Sequence, residues 1–451
     1  MGKPIIDLSV QGSQSSTWRR PSLDASGEAK SGPGAVPGPD DITRVELPNG
    51  IVVLARANFN SPSIVVQGYL EAGALFEDDQ RLGLAGFTAA GLMRGTARRS
   101  FQEIYDALES AGASLGFSGG THTTGFNGRA LAEDLNLLLS LLSESLREPV
   151  FPADQIEKLR ARLLTGLAIR AQDTGAMAAL AFGEIVYPGH PYSRPEDGYL
   201  ETVKAITREN LSSFHRRFYG PREMIIALVG GVDPQRAVEK IAVELGDWRN
   251  LEQPKPPALP ALPGPADPLE RKVTIPGKSQ ADLLLGTAGP ERRSPDWLPA
   301  ALGNSVLGQF GMMGRIGDAV REKAGLAYYA YSNISGGTGP GPWSASAGVD
   351  PANVAQAVEL IRAEIERFVG DPVTPDELSD SQANFIGRLP LSLESNGGVA
   401  AALLNLERYQ LGLDYYRRYP ELVRAVSREE ILEVGRRYLH PERLAVATAG
   451  P

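Results

Sequence analysis

Cysteine is absent from this 451-residue chain. Its absence excludes disulfides, thiolate nucleophiles and Cys-based zinc sites together. Histidine is scarce. Only His122, His190, His215 and His440 occur, and no two lie within a helical turn of each other. A zinc site needs three or four convergent N, S or O ligands, so these histidines build none by sequence proximity; a site made mainly of Asp and Glu stays open at this point. No apolar run approaches the ~20 residues of a spanning helix, and Met1 to Val10 holds no signal-peptide core. A cytoplasmic chain without a membrane span is expected, with the periplasm left open. Positive charge is in deficit: Lys and Arg number 45 against 54 Asp and Glu, giving −9. That leaves no basic footprint for nucleic acid.

What is present is a chain long enough for more than one domain. Residues 1–40, rich in Ser, Gly and Pro, read as a flexible N-terminal tail suited to docking. Beyond them the chain contains a diverged duplication. Ile206-Thr207-Arg208-Glu209 returns as Val426-Ser427-Arg428-Glu429, 220 positions on, and Pro221 and Gly230 meet Pro441 and Gly450 at the same offset. A second echo pairs Asp106-Ala107-Leu108 with Asp318-Ala319-Val320. Each copy of the ending predicts a capped helix and then a buried strand, 225–229 and 444–447. A Pro-rich stretch, 249–268, predicts an extended linker. The expected division is a first domain, 41–248, and a second, 269–451.

Strands are expected over 51–55 and 63–70. Helices are expected over 131–146, 160–180 and 353–369. Mixed runs of strands and helices point to α+β halves, each a sheet backed by helices, and two such halves on a strap suggest a clamshell.

Gly83-Leu84-Ala85-Gly86-Phe87 and Arg94-Gly95-Thr96 bracket the segment that bears most on function. This frame resembles the zinc helix of the M16 peptidases, the insulinase and mitochondrial-processing-peptidase family. The chain's size resembles the short bacterial M16B type. In that family, five positions here read His-Phe-Leu-Glu-His. Gly86 and Ala90 stand at the two ligand positions and Ala89 at the catalytic carboxylate. The family's third ligand, a Glu, would fall near Leu167, and Leu163 to Ile169 hold no carboxylate. The resemblance therefore implies a helix kept without its chemistry, with no metal, cofactor or catalytic residue on this chain alone.

In the second half, Arg321 and Tyr328 are seven positions apart. Locally they read as a solvated helix residue and a packed aromatic, with Gly325 a helix stop. The resemblance implies more. M16 peptidases carry an Arg and a Tyr at this spacing, opposite the zinc, where they hold the substrate carbonyl. Both are fixed donors suited to an oxygen gaining charge. Spacing favours Tyr328 over Tyr329. Gly308, Gly311 and Gly314 precede the pair, either as a tight helix entry or as a lip that touches peptide. His122 reads as an exposed residue near an edge strand with a structural role, and His190-Pro191-Tyr192 as a turn.

Together these imply the non-catalytic subunit of a heterodimeric metallopeptidase. Its partner would be an M16 chain with His-x-x-Glu-His and zinc, acting on short or unfolded peptides. The alternative is a proteolytically inactive scaffold or core subunit of a larger complex.

Overall fold

The computed structural model describes residues 36–262 and 268–451. Most of the expected tail, together with Pro263 and Pro265 of the expected linker, lies outside the described residues. Among the described residues two sheets carry the architecture. The first comprises β1 (Thr43–Glu46), β2 (Val52–Ala57), β3 (Ser63–Leu70), β4 (Ser114–Gly119), β5 (Thr124–Leu131) and β6 (Ile225–Gly230), in the order β1-β2-β6-β3-β5-β4. The second comprises β7 (Glu270–Thr274), β8 (Ala281–Ala288), β9 (Ala327–Ile334), β10 (Pro342–Val349) and β11 (Ala445–Gly450), in the order β7-β11-β8-β10-β9. Apart from the added β1 the two orders are the same. In each sheet one pair is parallel, β2 with β6 and β7 with β11, and the other pairs are antiparallel. The duplication in the sequence is thus a duplication of topology.

The first half also carries α1 (Leu84–Gly91), α2 (Phe101–Ser110), α3 (Leu135–Arg147), α4 (Ala153–Arg170), α5 (Thr174–Val186), α6 (Leu200–Ala205), α7 (Arg208–Phe218) and α8 (Pro234–Leu245). The second carries α9 (Trp297–Gly308), α10 (Phe310–Gly317), a π-helical turn (Asp318–Lys323), α11 (Val354–Gly370), α12 (Pro375–Ser392), α13 (Asn396–Arg408), α14 (Tyr415–Ala425) and α15 (Arg428–Tyr438). The duplicated helices α7 and α15 open with the expected caps. Thr207 accepts from Asn210 N–H and Ser427 from Glu430 N–H, both at 3.2 Å.

Each sheet packs one face on helices of its own half, forming the two main apolar cores. The opposite faces are covered by exchange. Helix α13 of the second half lays Val399, Ala400, Leu403 and Leu406 on Val52, Leu54, Val65 and Ile225 of the first sheet. Arg44 clamps Glu407 there with two hydrogen bonds of 2.8 and 2.7 Å. Helix α5 of the first half lays Ala178, Ala181 and Phe182 on β7, β8 and β11, and Glu184 pairs with Arg271 at 2.5 Å. Burial on both faces is why β3, β6 and β8 read as continuous apolar runs. β5 and β9 escape the exchanged helices and alternate instead.

The exchange corrects one expectation. The single helical pattern over 160–180 is two helices. The chain breaks after Arg170, and the Asp173 side chain caps a new helix by accepting Ala176 N–H at 2.7 Å. That break lets α5 leave its own half.

Candidate functional site

Helix α1 begins where Gly83 takes φ +93°, a left-handed conformation that suits glycine. A Cβ there would also lie 2.7 Å from the Asp197 carbonyl oxygen. The orphan N–H groups of this helix start are met from a distance. Glu77, only 7 % exposed, accepts from Gly83 N–H at 3.0 Å and from Ala85 N–H at 2.6 Å. Burial raises its carboxyl to about 7, against the lowering effect of those two bonds.

Gly86 and Ala90 are one turn apart, so they share a face of α1. Ala89 is 1 % exposed. Ala90, Leu163, Leu164 and Leu167 belong to one apolar cluster with α1's Leu84, Ala85 and Phe87. Leu167 stands on α4, which packs on α1. The fold therefore gathers the positions that the resemblance singles out. Their side chains offer hydrogen and hydrocarbon only. The group near Gly86 is the Glu196 carbonyl oxygen, 3.5 Å from where a Cβ would stand. These residues do not fit a zinc ion. Among the described residues no cluster of three or more His, Asp or Glu is arranged to hold a metal.

In the second half, Arg321 lies on the π-helical turn, and its side chain is 32 % exposed. Its ion-pair partner is its own neighbour Glu322, at 3.6 Å. Gly325, at φ +65°, closes the turn through Gly325 N–H to Arg321 O at 3.1 Å. The next strand, β9, is the sheet edge, and its pairing with β10 slips between Gly348 and Val349. Ala327 and Ala330 both pack toward the helices, so the irregularity absorbs an extra residue there. Tyr328, beside it, is 86 % exposed. Tyr329 behaves differently: its hydroxyl donates to Asp282 on β8, which also accepts from the Thr174 hydroxyl at the start of α5. The structure thus puts Arg321 and Tyr328 on adjoining elements at one edge, each with its polar head accessible, and no hydrogen bond joins them.

Of the three glycines before the pair, Gly308 lies against Ser332 with no room for a Cβ, whereas Gly311 and Gly314 take φ +62° and +64°. Both left-handed glycines fall within the α10 segment itself.

The strands not covered by exchanged helices expose their inner rows. On the first sheet these are Asn127 and Arg129 of β5, beside Gln67, with Ser114, Gly116 and Ser118 on the free edge strand β4. On the second they are Tyr331 and Asn333 of β9.

A cavity of about 580 Å³ opens where the halves meet, between the β4–β5 turn, α5 and the β9–β10 connection. His122 and Tyr192 line it, and the structure corrects the reading of His122 as exposed. His122 is half-buried, its Nε2 2.6 Å from the Tyr192 hydroxyl. Burial and the nearby Arg408 charge lower its pKa to about 4, so the ring is neutral at ordinary pH and shares one hydrogen bond with the phenol. The same phenol oxygen accepts from Gly339 N–H across the junction and is pushed up to about 12, chiefly by burial. A Cβ at Gly339 would lie 2.5 Å from that oxygen, so glycine permits the approach. His190 is buried, and its Nδ1 accepts Tyr192 N–H at 3.1 Å. The turn expected at 190–192 is present as a 3₁₀ turn, Pro191–Ser193. The density of Tyr and His between Tyr187 and Tyr192 was the available signal for this cluster.

Comparison with known proteins follows the same outline. A family model described as insulinase (peptidase family M16) matches residues 52–174, and one described as peptidase M16 inactive domain matches residues 205–385. A Streptomyces coelicolor protein named an uncharacterized zinc protease is 25 % identical over 363 residues, 79 % of this chain and 78 % of its own length. The mitochondrial-processing peptidase subunit beta of Saccharomyces cerevisiae is 24 % identical over 370 residues, 78 % of this chain and 79 % of that one. A crystal structure titled peptidase M16 inactive domain, from Pseudomonas fluorescens, superimposes with a TM-score of 0.83 at 24 % identity, covering 91 % of this chain and 98 % of the other.

Proposed function

The chain belongs to the M16 peptidase family, and from that premise we propose that it is the non-catalytic subunit of a heterodimeric zinc endopeptidase. The observation that carries the reading is the donor-free frame around α1. Gly86, Ala89, Ala90 and Leu167 can neither bind a metal nor activate water, and Ala89 and Leu167 are packed as core. Hydrolysis would take place on a partner M16 chain that has His-x-x-Glu-His and holds the zinc.

This chain's share is substrate binding. Arg321 and Tyr328 would reach the carbonyl oxygen of the peptide bond and donate hydrogen bonds that strengthen as charge develops there. Their state suits that task. A partner 3.6 Å away holds Arg321 weakly, and Tyr328 carries no structural duty that its exposure would reveal. The polar inner rows and the free edge of β4 suit an extended peptide, whose backbone can add to a sheet edge. The named β subunit among the relatives supports a chain that works in a pair.

The test is reconstitution with an M16 chain carrying the intact motif, zinc and fluorogenic peptides. Tyr328→Phe should lower kcat/KM about 100-fold, the scale of one lost oxyanion donor, and Arg321→Ala at least as much. Gel filtration should show assembly unchanged. Full activity in both variants would remove the pair from the reaction and reduce the chain to a scaffold.

A further inference from the structure

We propose that the cavity between the halves binds a carboxylate attached to an apolar body, as presented by the C-terminus of a short peptide; the proposal rests on the peptide-binding reading above. Its volume, about 580 Å³, is that of a small-ligand site. Two of the groups that line it lack the partners their chemistry calls for.

Tyr187 is 3 % exposed, lines the cavity, and has a buried hydroxyl with no hydrogen-bond partner. Burial keeps that phenol protonated far above neutral pH. It is a donor without an acceptor, an unfavourable state that a ligand oxygen relieves. Behind it the neutral His190 ring, whose Nδ1 is already an acceptor, carries its proton on Nε2, which is also buried without a partner.

Arg408, the last residue of α13, lines the same cavity. Its guanidinium carbon stacks 4.9 Å from the Tyr69 ring centroid and 5.8 Å from that of Tyr409. Among the described residues it makes no ion pair with a carboxylate. The neighbouring acid, Glu71, is pushed up to about 7 by its own burial, which weakens its claim on the guanidinium. Glu196, at the rim, is held by Thr121, accepting its N–H at 2.6 Å and its hydroxyl.

An oriented cation and a phenol donor complement a carboxylate. Phe182 and Leu284, packed together where α5 lies on β8, offer an apolar side chain its place. The cavity is built from both halves, so a bound acid would also hold them together.

The experiment is isothermal titration calorimetry on the full chain. The probes are N-acetyl-Ala-Leu-Phe as the free acid, the same tripeptide as the C-terminal amide, 3-phenylpropionate, and a longer unfolded peptide with an amidated C-terminus. The acid should bind at least tenfold more tightly than the amide. Arg408→Gln should abolish that difference. Tyr187→Phe should weaken the acid about tenfold while leaving the melting temperature unchanged or higher, because it removes a bare hydroxyl; a purely structural tyrosine would not behave so. Phenylpropionate matching the tripeptide would assign the pocket to free apolar acids, and a weaker response would assign it to peptide ends. Equal binding of acid and amide, or Tyr187→Phe without effect on the acid, would overturn the proposal and leave a water-filled cavity. In that case binding of the longer amidated peptide would preserve the peptide-chamber reading. Failure of every peptide would remove both.

Discussion

Phe87 and Ala89 on α1 are sealed to 1 % exposure, while Tyr328 at the β9 edge stands 86 % open to solvent. Both regions belong to the frames by which the chain resembles its family, one in each half. In the first, Phe87 and Ala89 are part of a core, and their side chains contribute folding free energy. In the second, a large ring and a weakly held guanidinium contribute little to folding and keep their polar heads available. The lesson is a division of labour that can be read as energy: residues that hold the fold lie under α1, and residues free to hold something else lie at β9.

The largest effect should come from restoring one piece of chemistry to the sealed region. Ala89→Glu would bury an unpaired carboxylate, and chemical denaturation should show a loss of roughly 4 kcal/mol or a molecule that no longer folds. Phe87→Ala should cost about 3–5 kcal/mol by opening a cavity in the same core. It also removes the ring over which Arg160 sits at 5.2 Å.

The support of α1 is also pH-sensitive. His215, on the packed helix α7, sits beneath the Leu146 carbonyl at 2.8 Å, and burial lowers its pKa to about 4. Above pH ~6.5, the ordinary histidine value, folded and unfolded chains are both neutral there. As pH falls from about 6.5 toward 4, only the unfolded chain takes the proton, so stability should drop by about 3 kcal/mol across that window. Thermal melts at stepped pH would show it, and His215→Gln should flatten the slope. Glu77→Ala should cost about 2 kcal/mol, since it strips the acceptor from two buried N–H groups. The smallest effect closes the comparison. Tyr328→Phe should change stability by less than about 0.5 kcal/mol. A large loss there would mean that the exposed ring is structural after all.

Much of this arrangement was legible in the sequence because its signals are local. The 220-residue offset between the two endings becomes the common strand order of the two sheets. Ser427 and Glu430 form the capping box that their spacing predicts. Gly325 stops the helical segment with a left-handed φ. What stayed hidden depends on contacts between distant parts of the chain. His122 read as exposed because its partner, Tyr192, is 70 residues away. The pattern over 160–180 read as one helix because Asp173 and Thr174 break a periodicity that resumes at once on the other side. Nothing in the apolar spacing of α5 or α13 says which sheet each will cover, since both faces look alike to a one-dimensional pattern. Glu77 was silent for the same reason: a carboxylate six residues before a helix start gains its role only when the chain folds back.

The reciprocal placement of α5 and α13 has a consequence for the integrity of the particle. A proteolytic nick between the halves would yield two fragments, each still roofing the other's sheet. Dissociation would strip the apolar layer from both at once. The nicked species should therefore elute as one intact body, and the peptide bonds that join the halves set the chain's path more than its cohesion.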